Sequence, residues 1–533
     1  MNLEIIDWII IIIYLILLLY LSFYLSKYQK SKQDYFISGR NENYVGLAIS
    51  VIATQCSTNS ILGAPAFVAF TIGGGLIWLQ YELAVPLSMI IIMIFLFPLF
   101  YRLKIISVYE YLEKRFDLKT RLIISCLFQF IRVFATAVTV YSVAIIIELI
   151  TGLSFVYAVL ILGFITIIYD VLGGIKAIVY SDVIQMFILT VILIGVLIFL
   201  INSLGGISNM LELFPNERQN KVNFSQHGFG DSEDFAFWPM LIGGFFLYIS
   251  YYGCDQSQVQ RELCAKNQSE GQKIFFLNGL FRFPLVLLYC FIGVGIGAYS
   301  EIDLNFIPSL PTNNDLPNYN LAVPIFLIQN LPPGIVGVTL VALFAAAMSS
   351  IDSVLNSLSA VTMEDIVIRF KLNQHWSEKK NLFMSRLITF LWGGLAILMA
   401  FFVDDVSSNV LIAINKIGSL INGPILGVFL LGVLTKTVSG NNVCVGLIIG
   451  FFCNLILWIF FPEISWLWWN VIGFVSTCLL ALILSLNSLN YNVKDYYWSL
   501  NLINDEGLNK IWVVRYIILL VWFLLIFIFL ILT

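Results

Sequence analysis

The sequence ATQCSTNS, residues 53–60, places polar side chains in the middle of an otherwise apolar segment. Six of these eight residues are polar, and Gly63 and Pro65 follow closely. Polar groups in the middle of a membrane span cost free energy and usually mark function. The stretch is typical of an unwound transporter helix whose freed carbonyls line a cavity. Helix packing through small and polar residues is the alternative.

The composition of the 533-residue chain indicates that most of its surface faces lipid. Hydrophobic residues make up 60% of the chain and charged residues only 11%, whereas soluble proteins have about 25% charged residues. This excludes a disordered chain, a coiled coil, collagen and a secreted disulfide scaffold. The net charge of −4 gives no indication of nucleic-acid binding.

About 14 apolar segments are long enough to cross the hydrocarbon core, which takes roughly 20 helical residues. Backbone groups in lipid must be paired within the protein, and these segments are too long for barrel strands. We therefore predict an all-α polytopic membrane protein. The segments are 5–25, 44–72, 76–101, 121–150, 155–175, 177–202, 237–257, 273–299, 334–362, 383–403, 409–435, 442–461, 465–487 and 511–532.

The basic residues fall almost entirely in alternate loops. By the positive-inside rule, about 23 of the 28 Lys and Arg residues lie on the cytoplasmic side. Only Arg218 and Lys221 lie opposite, and Arg132, Arg282 and Lys416 lie within spans. This pattern predicts a multi-pass protein of the plasma (cytoplasmic) membrane with both termini extracytoplasmic. No loop has room for a catalytic or nucleotide-binding domain, so we predict neither an enzyme nor an ATP-driven pump.

A second polar interruption is AAAMSSIDS, residues 345–353. Ser349, Asp352 and Ser353 lie at i, i+3 and i+4, so their oxygens share one helix face. Hydroxyl, carbonyl and carboxylate oxygens suit a small, hard cation. Serine hydroxyls bonded to the i−4 carbonyl are the alternative. That alternative does not explain Asp352, which needs a cation, a proton or a basic partner.

Two glycines and an aspartate mark a third position. GGIKA, residues 173–177, predicts a tight cytoplasmic turn, and YSD, residues 180–182, follows it. Asp182 would then open the next helix, where the helix dipole favours an acidic side chain. On this evidence alone, Asp182 has a structural role.

With these motifs assembled, the chain resembles the sodium:solute symporter family, which carries sugars, monocarboxylates, vitamins, iodide, proline and sialic acid with sodium. Each motif is weak alone, but together they occur in the family's order and at matching helix positions. They extend from about residue 34 to about residue 480 and include DYFISGR (34–40), YEYLEKRF (109–116), GGIKA with YSD, CDQ (254–256) through QR (260–261) and AKN (265–267), MSS (348–350) through NS (356–357), and TMEDI (362–366).

The resemblance implies a LeuT-type core of two inverted five-helix repeats within a single transmembrane transporter domain, residues 1–533. The first repeat would span 44–202 and the second 237–435. Accessory helices would lie at 5–25 and at 442–532.

The resemblance also assigns sodium ligands. The family's common sodium site falls on carbonyls and hydroxyls of Ala53, Cys56, Ala346, Ser349 and Ser350. Some members bind a second sodium, and that site falls on Asp182, Ser349, Asp352 and Ser353. Asp352 departs from the family's pattern, which has a hydroxyl there. Because two nearby carboxylates repel each other, a cation or a proton must neutralise one of them.

The solute pocket matches the family less closely. The histidine, tryptophan and glutamine of its sugar carriers correspond to Ser60, Tyr252 and Asn415, so the sugar set is not reproduced. Arg132 could hold an anionic solute through two N–H donors; an ion pair with Glu148 or Glu82, or snorkelling, is the alternative. We expect solute contacts from Gln55, Asn59, Ser60, Glu82, Tyr251, Tyr252, Asn415 and Arg132.

These residues predict a sodium-coupled secondary active symporter that imports a small polar or anionic organic solute by alternating access. Na+ is the co-transported ion, and we expect no organic cofactor, nucleic acid or obligatory protein partner. A proton-coupled symporter with Asp182 and Asp352 as its proton site, or a sugar carrier, is the alternative. A transporter-like sensor fits less well. An intramembrane enzyme also fits less well, because His227 and His375 are far apart in the sequence.

Overall fold

The computed structural model describes residues 3–56, 58–313, 316–403, 410–486, 496–497 and 510–532. These residues are almost entirely helical, as predicted. The α-helices are α1 Ile5–Ser26, α2 Lys32–Ile37, α3 Tyr44–Gln55, α4 Thr58–Ala69, α5 Ala84–Ile91, α6 Phe97–Arg102, α7 Glu110–Arg115, α8 Leu118–Thr151, α9 Phe155–Ser203, α10 Ile207–Leu213, α11 Gly244–Cys254, α12 Gln256–Glu262, α13 Gln268–Ile302, α14 Ala322–Asn330, α15 Ile335–Val361, α16 Glu378–Ala400, α17 Val410–Leu434, α18 Gly440–Phe460, α19 Trp468–Leu484 and α20 Lys510–Leu532.

Tighter and wider helical turns extend several of these helices. Leu76–Leu83 and Ile92–Leu96 join α5 and α6 into one span, Pro239–Gly243 precedes α11, and Thr362–Ile368 follows α15. Short 3-10 turns lie at Ser38–Arg40, Asn216–Arg218, Ile307–Ser309 and Tyr319–Leu321. Two antiparallel two-residue strands, β1 Thr312–Asn313 and β2 Leu316–Pro317, pair Thr312 with Pro317.

Ten of the described helices are long and apolar enough to cross a membrane, or eleven when the bent pair of α3 and α4 counts as one span. This count is lower than the predicted 14 for two reasons. The predicted segments 155–175 and 177–202 merge into α9, which has 49 residues. The segments 237–257 and 465–487 contain helices shorter than a usual span, and α19 has 17 residues.

The long helix α9 changes direction at Gly174, where φ is 55° and ψ is −170°. Almost only glycine adopts this conformation, because a Cβ would collide with the backbone. The side chain of Tyr35 also lies against this glycine. Two main-chain carbonyls beside the bend accept hydrogen bonds from outside α9. The Ser22 hydroxyl lies 2.5 Å from the Tyr169 oxygen, and the Gln29 amide donates to the Gly173 oxygen.

The first helix, α1, contacts the centre of the molecule through polar side chains about seven residues apart. One oxygen of Asp7 accepts the N–H groups of Gly334 and Gly337, both at 2.7 Å. These groups begin α15, so Asp7 satisfies donors that a helix N-terminus leaves unpaired. The Tyr14 hydroxyl accepts the Gln185 amide at 2.9 Å. Thus α1 fixes both α9 and α15, which carry the predicted sodium ligands.

We expect Gly174→Ala to destabilise the protein by at least about 2 kcal/mol, because the backbone conformation alone costs roughly 1–3 kcal/mol for a residue with a side chain. A Cβ at residue 174 would also lie 2.7 Å from the Tyr35 ring. Gly195→Ala in the same helix is the matched control, since nothing lies within 4 Å of its added Cβ. Thermal unfolding in detergent should show a lower midpoint only for Gly174→Ala. Equal unfolding midpoints for the Gly174→Ala and Gly195→Ala variants would contradict a bend that requires glycine at residue 174.

Candidate functional site

The polar stretch at residues 53–60 coincides with a break between two helices. Helix α3 ends at Gln55, and Cys56 leaves the helical conformation with φ −80° and ψ 55°. Helix α4 then runs on at 55° to α3. A break in the interior of a membrane protein frees backbone carbonyls, which must find partners within the protein.

Two serines of α15 supply those partners. The Ser349 hydroxyl lies 3.3 Å from the Ala53 oxygen, and the Ser350 hydroxyl lies 3.1 Å from the Thr54 oxygen. Both hydroxyls also lie within hydrogen-bond distance of the Ala346 oxygen, at 3.3 and 3.2 Å. Five oxygen atoms from two stretches almost 300 residues apart therefore lie close together. Four of them belong to predicted sodium ligands, and the fifth, the Thr54 carbonyl oxygen, takes the place expected for that of Cys56.

A small cavity of about 10 Å³ lies beside these oxygens. This is about the volume that one water molecule needs. Its walls are formed by Ala53, Cys56, Gln185, Met186, Leu189, Ala346 and Ser349. Four of the five predicted sodium ligands thus surround it. The fifth, Ser350, lines the larger cavity described below.

Gln185 is a residue of this cavity that the sequence analysis missed. Its amide nitrogen donates to Tyr14, and its buried side-chain oxygen has no hydrogen-bond partner among the described residues. It lies one helical turn after Asp182, on the same face of an apolar helix. This spacing is the signal that could have identified it.

The residues predicted for a second sodium site also lie together and are buried. The Ser353 hydroxyl lies 2.5 Å from the Ser349 main-chain oxygen and 3.1 Å from a carboxylate oxygen of Asp352. Asp182, on α9, accepts the Ser50 hydroxyl at 2.5 Å. Asp182 and Asp352 are both fully buried.

A buried arginine accompanies these carboxylates, although the sequence pattern placed it in a cytoplasmic loop. Arg261 is fully buried in the short helix α12. Its Nε lies 2.8 Å from the Ser50 hydroxyl and 3.9 Å from the Asp182 carboxylate. Since a loop charge and a buried charge look alike in a sequence, hydropathy could not reveal this partner. Arg261 offsets one of the two negative charges.

A larger cavity of about 210 Å³ adjoins the helix break. Five of the eight predicted solute contacts line it, namely Gln55, Ser60, Arg132, Tyr251 and Asn415. Tyr252 and Glu82 are buried but are not among its lining residues, and the side chain of Asn59 lies outside the described part of the chain. Aromatic side chains that the sequence analysis did not assign complete the wall, including Trp78, Tyr81, Tyr248 and Tyr289.

The two arginines at this cavity are each paired with a carboxylate. Arg132 donates Nε to Asp255 at 2.7 Å, and a second nitrogen of its guanidinium contacts the same oxygen. Arg282 donates Nε to Glu82 at 2.9 Å. The partner of Arg132 is therefore neither Glu148 nor Glu82, the two expected from the sequence. Because each guanidinium is paired with one carboxylate, the two pairs add no net charge to the cavity wall.

Comparison with known proteins gives relatives of one kind. Residues 35–450 match the sodium:solute symporter family. The chain is 30% identical to sodium-coupled monocarboxylate transporter 1 of Xenopus laevis, covering 80% of this chain and 67% of that protein. It is 28% identical to the sodium/sialic acid symporter NanT of Aliivibrio fischeri, covering 88% and 90%, respectively.

Solved structures agree with these relatives. A substrate-bound, outward-open Na+-coupled sialic acid symporter superposes with a TM-score of 0.81 at 25% identity, covering 91% of this chain and 99% of that one. Mhp1, a nucleobase-cation-symport-1 family transporter, gives a TM-score of 0.54 at 12% identity, covering 84% and 93%, and so shares the fold alone.

A broken helix between two buried cavities, within a bundle of apolar helices, defines a multi-pass membrane transport protein. The match over residues 35–450 identifies the family: the chain belongs to the sodium:solute symporter family.

The Arg282–Glu82 pair allows a direct test of the cavity wall. Glu82→Gln leaves a buried guanidinium without its carboxylate, which costs about 3–5 kcal/mol. We expect the free energy of unfolding, measured in mixed detergent micelles, to fall by this amount. Glu82→Gln combined with Arg282→Gln should be more stable than Glu82→Gln alone, because no unpaired charge remains. If the losses in unfolding free energy caused by the two single substitutions simply add in the double variant, the Arg282–Glu82 interaction is contradicted.

Proposed function

We propose that this chain imports a small polar or anionic organic solute together with sodium, by alternating access. The observation that carries the proposal is the meeting of the Ser349 and Ser350 hydroxyls with the carbonyls at the α3–α4 break, beside an ion-sized cavity. The relatives support it, since they are named sodium-coupled transporters of monocarboxylate and sialic acid.

Sodium would bind first between α3 and α15. Its ligands would be the carbonyls of Ala53, Cys56 and Ala346 and the hydroxyls of Ser349 and Ser350. Each hydroxyl now donates to a carbonyl and has lone pairs to offer. A cation in the small cavity would therefore turn the same oxygens toward itself. A second ion would take Asp182, Ser349, Asp352 and Ser353.

The solute would occupy the larger cavity. Gln55, Ser60, Tyr251 and Asn415 offer hydrogen bonds to its polar groups, and the aromatic side chains contact its apolar parts. Glu82 and Tyr252, which are buried but do not line this cavity, and Asn59 complete the proposed set. An anionic solute would have to compete with Asp255 for Arg132, since that carboxylate already holds the guanidinium.

Alternating access follows from the proposed repeats at 44–202 and 237–435, with accessory helices at 5–25 and 442–532. We count 14 membrane crossings. This count divides α9 at Gly174 into two crossings and takes α3 and α4 together as one. It also includes residues 239–254 and α19 as one crossing each. With this even count and the basic residues in the cytoplasmic loops, both termini would lie outside the cytoplasm at the plasma membrane. One sodium charge moving through 100 mV releases about 2.3 kcal/mol. This free energy is enough to accumulate the solute more than tenfold.

A proton-coupled symporter is the second candidate, and the buried carboxylates of Asp182 and Asp352 support it. Counterflow in proteoliposomes separates the two candidates, using labelled monocarboxylates, sialic acid, sugars and amino acids with and without sodium. We expect uptake of one solute class only when sodium is present. Uptake that persists without sodium but stops with a protonophore would contradict the sodium proposal, and a labelled sugar would identify a sugar carrier.

Substitution of the α15 serines tests the first sodium site. We expect Ser350→Ala to abolish sodium-dependent uptake and Ser349→Ala to raise the half-saturating sodium concentration at least tenfold, because each removes one ligand. Thr339→Val in the same helix is the control, since its hydroxyl bonds only within the helix, at 2.8 Å from the Ile335 oxygen. Unchanged sodium activation in both serine variants would refute the assignment.

A further inference from the structure

The side-chain amide of Gln185 is paired at only one of its two ends. This residue of α9 is 3% exposed and forms part of the wall of the small cavity. Its nitrogen donates to the Tyr14 hydroxyl at 2.9 Å. Its oxygen has no hydrogen-bond partner among the described residues. A buried polar atom of this kind needs a partner, such as a water molecule or an ion.

The unpaired oxygen is the polar atom that this side chain can offer to the cavity. Since the amide nitrogen is directed at α1, the oxygen on the other side of the amide is directed away from α1. Among the described residues of the wall, Gln185 is the only one with a side-chain amide. Hard cations prefer oxygen ligands. Gln185 shares this wall with four residues of the proposed first sodium site, namely Ala53, Cys56, Ala346 and Ser349.

The helix that carries Tyr14 is attached to the rest of the protein on both sides of this residue. Seven residues before it, the buried Asp7 accepts two N–H groups at the start of α15. Eight residues after it, the buried Ser22 donates to a main-chain carbonyl of α9 at 2.5 Å. Both spacings are about two helical turns, so the three side chains lie on one side of α1. The two attachments therefore fix the position of the Tyr14 hydroxyl.

The orientation of the Gln185 amide decides which partial charge the cavity receives. An amide presents either its oxygen, which accepts, or its NH2 group, which donates. A bound cation requires the oxygen, and the NH2 group must then find an acceptor on the opposite side. Within the part of the chain that the structure describes, the Tyr14 hydroxyl is the only such acceptor. Without this hydroxyl, the ion-bound state would leave a buried donor unpaired, which is unfavourable.

We infer that Tyr14 is a positioning residue of the first sodium site. Its hydroxyl holds the nitrogen of Gln185, so that the oxygen of Gln185 completes the ligands of the ion. The inference rests on the proposed sodium coupling and deepens it, because it adds a contribution from the accessory helix α1. This helix precedes residues 35–450, which match the family, so membership of the family does not imply the contact. Helix α1 thereby sets the sodium affinity.

The test is the binding of ²²Na+ to the purified full-length chain in lipid nanodiscs. We expect Tyr14→Phe, which removes only the hydroxyl, to raise one sodium dissociation constant about tenfold, because the bound state loses a buried hydrogen bond. Gln185→Met keeps the length of the side chain and removes the amide, and it should raise the same constant at least as much. Tyr20→Phe is the matched control and should bind like the wild type, since Tyr20 is 64% exposed on the same helix.

The double variant separates positioning from a general effect on the structure. If Tyr14 acts through Gln185, adding Tyr14→Phe to Gln185→Met should change the sodium dissociation constant less than twofold. Multiplied effects of the two substitutions would overturn the inference, as would wild-type affinity in Tyr14→Phe. If the wild type binds no ²²Na+, the sodium coupling itself is refuted. Should Gln185→Met not fold, as judged by size-exclusion chromatography, the comparison of Tyr14→Phe with Tyr20→Phe decides.

Discussion

Backbone carbonyls freed inside a lipid-facing bundle impose the main constraint on this protein. Lipid offers them no hydrogen bonds, so a break in a helix needs donors from elsewhere in the chain or a polar cavity to face. At the α3–α4 break the donors are Ser349 and Ser350. Because hydroxyls both donate and accept, the same groups that satisfy the break without an ion can coordinate one. In the proposed mechanism, folding and ion binding thus use one set of atoms.

The bend in α9 follows the same rule. Beside Gly174, the carbonyls of Tyr169 and Gly173 accept hydrogen bonds from Ser22 and Gln29. These donors lie on α1 and just after it, outside the proposed inverted repeats. An accessory helix therefore stabilises the bend that positions Asp182, which explains why polar side chains recur along a helix otherwise exposed to lipid.

The sequence predicts the helical class and the residues at both breaks, because polar side chains stand out against an apolar background. It does not predict their partners. Asp255, Arg261 and Gln185 come from helices distant in sequence, and hydropathy cannot distinguish a buried arginine from one in a loop. The span count also differs, because α9 counts as one helix on both sides of the kink at Gly174, where the backbone leaves the helical conformation. The sequence indicates that Asp352 needs a partner, but it does not show that Arg261 is buried beside the carboxylate of Asp182.

The account rests on oxygens that are arranged for sodium before it binds. A ligand that binds only the folded state stabilises the protein. The gain in unfolding free energy grows with the logarithm of the ligand concentration once this exceeds the dissociation constant. The most direct measurement is thermal unfolding of the wild-type chain in NaCl and in KCl at equal ionic strength. The account predicts a midpoint that rises steadily with NaCl and not with KCl. Identical midpoints in the two salts would contradict it.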